Sequence, residues 1–332
     1  MKKTTSVLLM LLAIVVVAAC SKGGAFKRTK SGLMYKIISS GTGATAKRGE
    51  ILKVNFTQTL TSGSKDSLLT SSYEGLPTYA QVDSVGPVYN PAEIFDKLRK
   101  GDSAVIVMLA DSLQKNQGQL PPFVKKGDKF TLAIKVLDIF KSEEDVRKDQ
   151  TAQMETKKKD EIQQIQQYLT KNNIQAEKSS KGVFVQIQEK GDGPKVDSGK
   201  AVHVMYKGTT FEGTVFDSNL DTSFGHPDPY VFVVGQRGAI EGWDDGLRLL
   251  NKGGKARMYI PSMLAYGPNA PQGAPFKAYE NLIFDVEVID VTDPPKGRTP
   301  FNLNRRPRPG ANNPGAENPD AENPAPEDPG TE

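Results

Sequence analysis

The chain has a single cysteine, two histidines and one tryptophan in 332 residues. One cysteine excludes an internal disulfide and a cysteine-rich zinc site. Two histidines, His203 and His226, leave almost no material for a histidine metal site or a catalytic triad. The formal net charge is only +4, without the concentrated basic face that nucleic-acid binding needs, so nucleic acid is not an expected partner. Long apolar runs are also scarce. The longest, residues 7–19, is too short to span a bilayer comfortably and follows Lys2 and Lys3, as the apolar core of an export signal does.

What is present begins with that leader. Val-Ala-Ala before Cys20 resembles a bacterial lipobox, which implies removal of residues 1–19 and diacylation of the Cys20 thiol. Lipidation would also remove the only thiol nucleophile. The alternative is an ordinary secretory signal with a chance cysteine. Ser21 after the cysteine is similar to the pattern of outer-membrane retention, so the expected location is lipid-anchored to a bacterial outer membrane, facing the periplasm. Residues 20–29 read as a short basic tether.

Next comes an internal repeat. Ser31-Gly-Leu-Met-Tyr-Lys-Ile-Ile-Ser-Ser-Gly-Thr-Gly43 parallels Lys181-Gly-Val-Phe-Val-Gln-Ile-Gln-Glu-Lys-Gly-Asp-Gly193, with both glycine pairs 150 positions apart. Lys53–Phe56 parallels His203–Tyr206 at the same offset, and Lys100-Gly matches Lys252-Gly at an offset of 152. Two copies of one domain follow, over 30–141 and 179–292. Runs rich in β-branched and aromatic residues, separated by Gly, Pro, Asn and Asp clusters, read as strands. Trp243, Leu247 and Leu250 fall at helical spacing in one short helix over 241–250. The fold class is α+β. Between the copies, 142–178 reads as a charged helical linker with a thin apolar stripe of Val146, Met154, Ile162, Ile165, Tyr168 and Leu169. It is either a solvated connector, which is favoured, or a spacer or dimerisation helix. Residues 293–332 are rich in Pro, Asn and Glu and have too little apolar surface to offset the entropy of ordering.

The second copy also carries a set of motifs in order: Met205-Tyr206-Lys207-Gly208, Phe216-Asp217-Ser218-Asn219, Gly235, Ile240-Glu241-Gly242-Trp243, Ala265-Tyr266-Gly267 and Leu282-Ile283-Phe284-Asp285-Val286. As a set they resemble the FKBP-type peptidyl-prolyl isomerases over about 180–292. The resemblance implies two domains, each a twisted antiparallel sheet wrapped around a short helix, with a pocket between helix and sheet in the second. It implies no cofactor and no metal. It assigns Tyr206, Phe216, Tyr230, Ala239, Trp243, Phe276 and Phe284 to the pocket walls, with Trp243 as the floor under a proline ring. The Ile240 N–H and the Tyr266 hydroxyl would hold substrate carbonyls, and Asp217 would be the polar group beside the twisting amide. Taken singly, Phe216, Tyr230 and Phe284 are equally well ordinary core.

Departures accompany the match. The arginine often found between Asp217 and Tyr230 is missing, so an arginine partner for Asp217 is not expected. The first copy has Phe56 where Tyr206 stands, only Asp66-Ser67 as an echo of Phe216-Asp217-Ser218, and Pro91 near the Trp243 position. It is expected to be degenerate. The implied substrates are unfolded or nascent exported polypeptides with Xaa–Pro bonds. A homodimer through the first domain or the linker helix stays open. The alternative function is a non-catalytic proline-binding chaperone or scaffold.

Overall fold

The computed structural model describes residues 25–39, 43–83 and 88–294. The leader, Cys20 and the tail beyond Pro294 lie outside the described residues. The chain divides into two compact units between Gln163 and Gln164.

The first unit is a seven-stranded antiparallel sheet built from β1 (Lys27–Arg28), β2 (Met34–Ile38), β3 (Ile51–Ser62), β4 (Lys65–Ser71), β5 (Thr78–Gln81), β6 (Ser103–Leu109) and β7 (Lys129–Phe140). The order is β1-β2-β6-β7-β3-β4, with β5 also on β3. Burial alternates along β6, as the period of two requires: Ala104, Ile106 and Met108 point into the core. A 3-10 helix over Pro91–Lys97 and the helix α1 (Ala110–Gln117) complete the unit. The end of the expected tether is structured here, because Lys27 and Arg28 pair with Tyr35 and Met34.

The second unit repeats this path with β8 (Glu177–Lys178), β9 (Phe184–Glu189), β10 (Ala201–Thr210), β11 (Val215–Ser218), β12 (Tyr230–Val233), β13 (Lys255–Ile260) and β14 (Leu282–Thr292). Its order is β8-β9-β13-β14-β10-β11, with β12 on β10. The likeness reaches the irregularities. The ladder of β3 with β7 shifts register between Lys53 and Val54, and that of β10 with β14 shifts between His203 and Val204. A second shift falls between Gln58 and Thr59 against β4 and between Gly208 and Thr209 against β11. Bulges are built-in features of a strand pair, and here both recur at the 150-residue offset.

A longer helix, α2 (Glu143–Lys171), has residues in both units. In the first, Val146 is buried and Asp149 accepts hydrogen bonds from the Lys53 ammonium (3.0 Å) and the Tyr79 hydroxyl. In the second, Ile165 and Leu169 are buried and Tyr168 meets Phe211 edge-on at 4.8 Å. The thin stripe is therefore largely covered by the chain itself, which corrects the picture of a solvated connector. Six charges in the first two turns, from Glu143 to Asp149, hide this in the sequence.

In the second unit a short helix, α3 (Glu241–Gly246), continues into a 3-10 turn (Leu247–Leu249). Two of its six residues are glycine, poor for an isolated helix. Packing explains them. A Cβ on Gly242 would lie 2.4 Å from Ile260 Cγ2, and one on Gly246 would lie 2.8 Å from Met258 Sδ. The helix backbone itself rests on β13. Gly242→Ala is expected to destabilise the second unit by about 1–3 kcal/mol, as overpacking does. Chemical unfolding of the full chain checks this, and an unchanged midpoint would contradict it.

One further duplicated device ties each short helix to the turn ahead of β2 or β9. In the first unit the Ser31 hydroxyl donates to Glu93 Oε1 (2.7 Å), which also accepts from the Tyr89 and Asn90 backbone. In the second, Asp245 accepts from the Ser179 and Ser180 hydroxyls and the Lys181 N–H. Burial pushes the Glu93 carboxyl up, but hydrogen bonds from Thr29, Ser31, Asn90 and Tyr89 outweigh it and hold the carboxyl below its ordinary value of 4.5. A depressed carboxyl stabilises the fold above its unfolded value and loses that effect as pH falls through the folded value. Glu93→Gln should therefore cost on the order of 1 kcal/mol at pH 7. The gap to wild type should close in acid, as the pH falls below 4.5 and through the lowered folded value. Unfolding curves at the two pH values read both outcomes.

Candidate active site

Four elements of the second unit meet at Trp243. β10 brings Tyr206, β12 brings Tyr230 and Phe232, α3 carries Trp243 itself, and β14 brings Phe284. The Tyr206, Phe284 and Tyr230 rings stand edge-on to the indole, with centroids at 5.0, 5.4 and 5.9 Å and interplanar angles of 76, 88 and 85°. Phe232 lies at 6.0 Å. Edge-to-face contacts suit the ring quadrupoles and hold such a cup rigid. β11 extends it: Phe216 meets Phe284 at 5.5 Å and Phe276 at 4.9 Å, and Phe276 in turn lies 5.4 Å from Tyr266.

Gly208 makes this closeness possible. It pairs with both Asp217 and Phe284 across its two ladders. A Cβ there would sit 2.5 Å from Phe216 Cζ and 3.0 Å from Phe284 Cε1.

The polar groups are few. The Tyr206 hydroxyl donates to Asp217 Oδ2 at 2.7 Å. Burial, then the hydrogen bond and charge of Asp217, push Tyr206 ionisation far above its ordinary range, so it remains a donor. The Tyr230 hydroxyl donates to the Gly238 carbonyl at 2.6 Å, fixing the stretch that leads through Ala239 into Ile240. Burial also raises the Tyr230 hydroxyl. Ile240 is the N-cap of α3 with extended backbone, and no described residue accepts from its N–H. The Trp243 indole N–H is buried and has no partner among the described residues. The cup is thus largely apolar, with one aspartate and a small number of donors at its rim.

All ten residues read from the sequence belong to this one neighbourhood. Tyr206, Phe216, Trp243 and Phe284 are buried in its core, and Tyr230, Ala239, Ile240, Tyr266 and Phe276 pack against that core half-buried. Asp217 joins them through Tyr206. The lipidation residue Cys20 is outside the described residues. Sequence reading missed four participants: Phe232, the Gly238 carbonyl, Asn219 and His226. Asn219 is buried, accepts from the Tyr206 N–H (2.6 Å) and donates to the Val204 and Asp228 carbonyls. His226 Nε2 lies 2.9 Å from Asp217 Oδ1, in the place where an arginine was missed. Among the described residues, no group of three or more His, Cys, Asp or Glu side chains is placed to hold a metal ion.

The first unit carries none of this chemistry at the equivalent places. Phe56 pairs with Ile134 as Tyr206 pairs with Val286. Gln58, at the Gly208 position, pairs with Thr70 and Leu132. Thr70, and not Asp66, is therefore the structural counterpart of Asp217. The β3–β4 hairpin is longer than the β10–β11 hairpin, and counting along the sequence misjudged its register. Ser72 confirms the alignment, since its hydroxyl accepts from the Phe56 N–H as Asn219 accepts from the Tyr206 N–H. Leu98 and Leu250 are equivalent, each accepting from the matched Ala46 and Val196 N–H groups. Counting back from them puts Pro91 at the Trp243 position.

Residues 193–289 match the family model for FKBP-type peptidyl-prolyl cis-trans isomerase. This segment is an FKBP-type domain. The chain is similar to the FKBP-type peptidyl-prolyl cis-trans isomerase FkpA of Escherichia coli K12, 39% identical over 118 residues that cover 36% of this chain and 41% of that protein. It is also similar to FK506-binding protein 4 of Dictyostelium discoideum, 45% identical over 100 residues covering 30% and 25% of the two chains. Among solved structures, the crystal structure of FkpA from Escherichia coli aligns at 34% identity over 46% of this chain and 69% of that one, with a TM-score of 0.34. The chain thus spans about two fifths of the length of its Escherichia coli relative. The FKBP-type segment holds every residue of the aromatic cup and the Tyr206–Asp217 pair.

Proposed function

We propose that the chain is a peptidyl-prolyl cis-trans isomerase that assists the folding of exported proteins, with its site in the FKBP-type domain. The observation that carries this reading is the aromatic cup around Trp243 with the Tyr206–Asp217 pair at its edge. Rotation about an amide faces a barrier of about 18–20 kcal/mol because twisting breaks resonance. The two Xaa–Pro isomers differ by only about 0.5–1 kcal/mol, so the difficulty is kinetic. A catalyst needs no nucleophile or proton transfer, only a site that favours the twisted amide over the planar one. Twisting reduces charge separation, so an apolar site suits it. The proline ring would lie on the indole of Trp243. The Ile240 N–H and the Tyr266 hydroxyl would hold the flanking carbonyls, and Asp217 would orient Tyr206.

The clients would be unfolded or nascent exported chains, whose uncatalysed isomerisation takes tens to hundreds of seconds. In this reading Cys20 is lipidated and anchors the protein to the outer membrane on its periplasmic side. No helix among the described residues is long and apolar enough to cross a membrane. The first unit would hold clients or self-associate and would not turn them over. Its outermost strand, β4, exposes Leu68 and Leu69, with Tyr73 exposed just beyond, which favours a holding role.

The test is the cis-to-trans rate of a short Xaa–Pro peptide with the full chain. A rate above the spontaneous one supports the isomerase. A folded chain that binds the peptide and leaves the rate unchanged favours the binding module instead.

A further inference from the structure

We propose that His226 is a positioning residue for Asp217 and makes the isomerase site respond to pH; the proposal deepens the isomerase reading and rests on it. Asp217 is held from two sides. Its Oδ2 accepts from Tyr206 at 2.7 Å and its Oδ1 faces His226 Nε2 at 2.9 Å. The imidazole lies nearly parallel to the Tyr206 ring, at 21° and 6.4 Å between centroids. One histidine therefore faces both members of the pair.

The loop that delivers it is built for the purpose. Asp221 caps a 3-10 turn over Thr222–Phe224 by accepting from the Ser223 N–H. Gly225 then adopts φ of +77°, a conformation that side chains rarely take, and turns the chain back. Asn219 ties the far side of the loop by donating to the Asp228 carbonyl at 3.0 Å. His226 follows the glycine directly and is brought over Asp217.

The 2.9 Å separation is that of an ion pair, so an imidazolium at His226 adds charge beside the carboxylate and tightens the hold. His226 is half exposed and open to solvent. The other charged or titratable groups on the surrounding elements are Lys207 on β10, Asp221 and Asp228 on the loop, and the Tyr230 and Tyr266 hydroxyls, both electrostatically coupled to Tyr206. The only other histidine, His203, lies on β10 and interacts with Asp290 on β14.

The experiment is kcat/KM for an Xaa–Pro peptide from about pH 5.5 to 8 with the full chain. Wild type should be about 3- to 5-fold more active at the acid end, as a partly exposed ion pair allows. H203Q should keep that profile, H226A should be flat at the lower level, and H226R should be flat at the upper one. Nitrogen NMR of the imidazole should show Nε2 as the protonated donor in wild type above neutral pH, and this signature should change in D217N. An H226A profile like wild type, an H226R protein no better than H226A, or identical imidazole spectra in wild type and D217N would each overturn the proposal. Wild type without isomerase activity would overturn the functional reading, and the NMR arm would separately report whether the pair forms.

Discussion

Asp217→Ala should lower kcat/KM for Xaa–Pro isomerisation by about tenfold or more while the FKBP-type domain stays folded. Asp217 is the acceptor for the Tyr206 hydroxyl and the partner of His226. Without it, a largely buried hydroxyl loses its partner, which costs roughly 1–3 kcal/mol. Placed wholly on the transition state, that is about 5- to 150-fold in rate. The carboxylate lies at the rim, 16% exposed, so little packing is lost with it. Asp217→Asn keeps the shape and an acceptor for Tyr206 and should fall between. A peptide assay on the purified full-length variants, with circular dichroism as the folding control, checks the order wild type, Asn, Ala. An Ala variant as active as wild type would remove Asp217 from the site.

Trp243→Ala should have the largest effect on stability in the second unit, about 3–5 kcal/mol, and should abolish catalysis. The indole is 4% exposed and touches four aromatic rings, so truncation leaves a cavity whose walls are held by separate strands and cannot close together. Its N–H has no partner among the described residues to strand, so the loss is one of packing. Trp243→Phe should therefore recover most of the stability but not the activity, because a smaller ring lowers the floor under the proline. Denaturant unfolding followed by circular dichroism measures this, since the variants contain no tryptophan for fluorescence. A loss under about 1 kcal/mol for the Ala variant would contradict the packing account.

Much of this was legible in the sequence because duplication prints a fold twice. The 150-residue offset between Gly32 and Gly182 predicted paired domains, and the bulges at Val54 and Val204 repeat it. The aromatic cup was readable as an ordered set of motifs, although Phe216 or Phe284 alone says nothing beyond core. Register was harder. Asp66 lies nearer to Asp217 by motif than Thr70, but hairpin length is set by turn geometry, and the ladder puts Thr70 opposite Gln58. Strands of two residues such as β1 and β8 carry no periodic signal at all. The apolar stripe of α2 was legible, but the charges around it favoured a solvated connector over a packed one. Asn219 and His226 were missed because their roles depend on contacts across the β10–β11 hairpin and a loop, which composition does not encode. The glycines of α3 looked like helix breakers, and only the contacts with Ile260 and Met258 explain them.

The central claim is that catalysis resides in the second copy alone, and one paired measurement addresses it. The rate of cis-to-trans exchange in an Xaa–Pro peptide would be measured with the full chain, with Tyr206→Phe plus Asp217→Ala, and with the matched first-unit changes Phe56→Ala plus Thr70→Ala. The account predicts acceleration by wild type and by the first-unit variant, and a rate near the spontaneous one with the second-unit variant. Acceleration that survives the second-unit changes and disappears with the first-unit ones would contradict it.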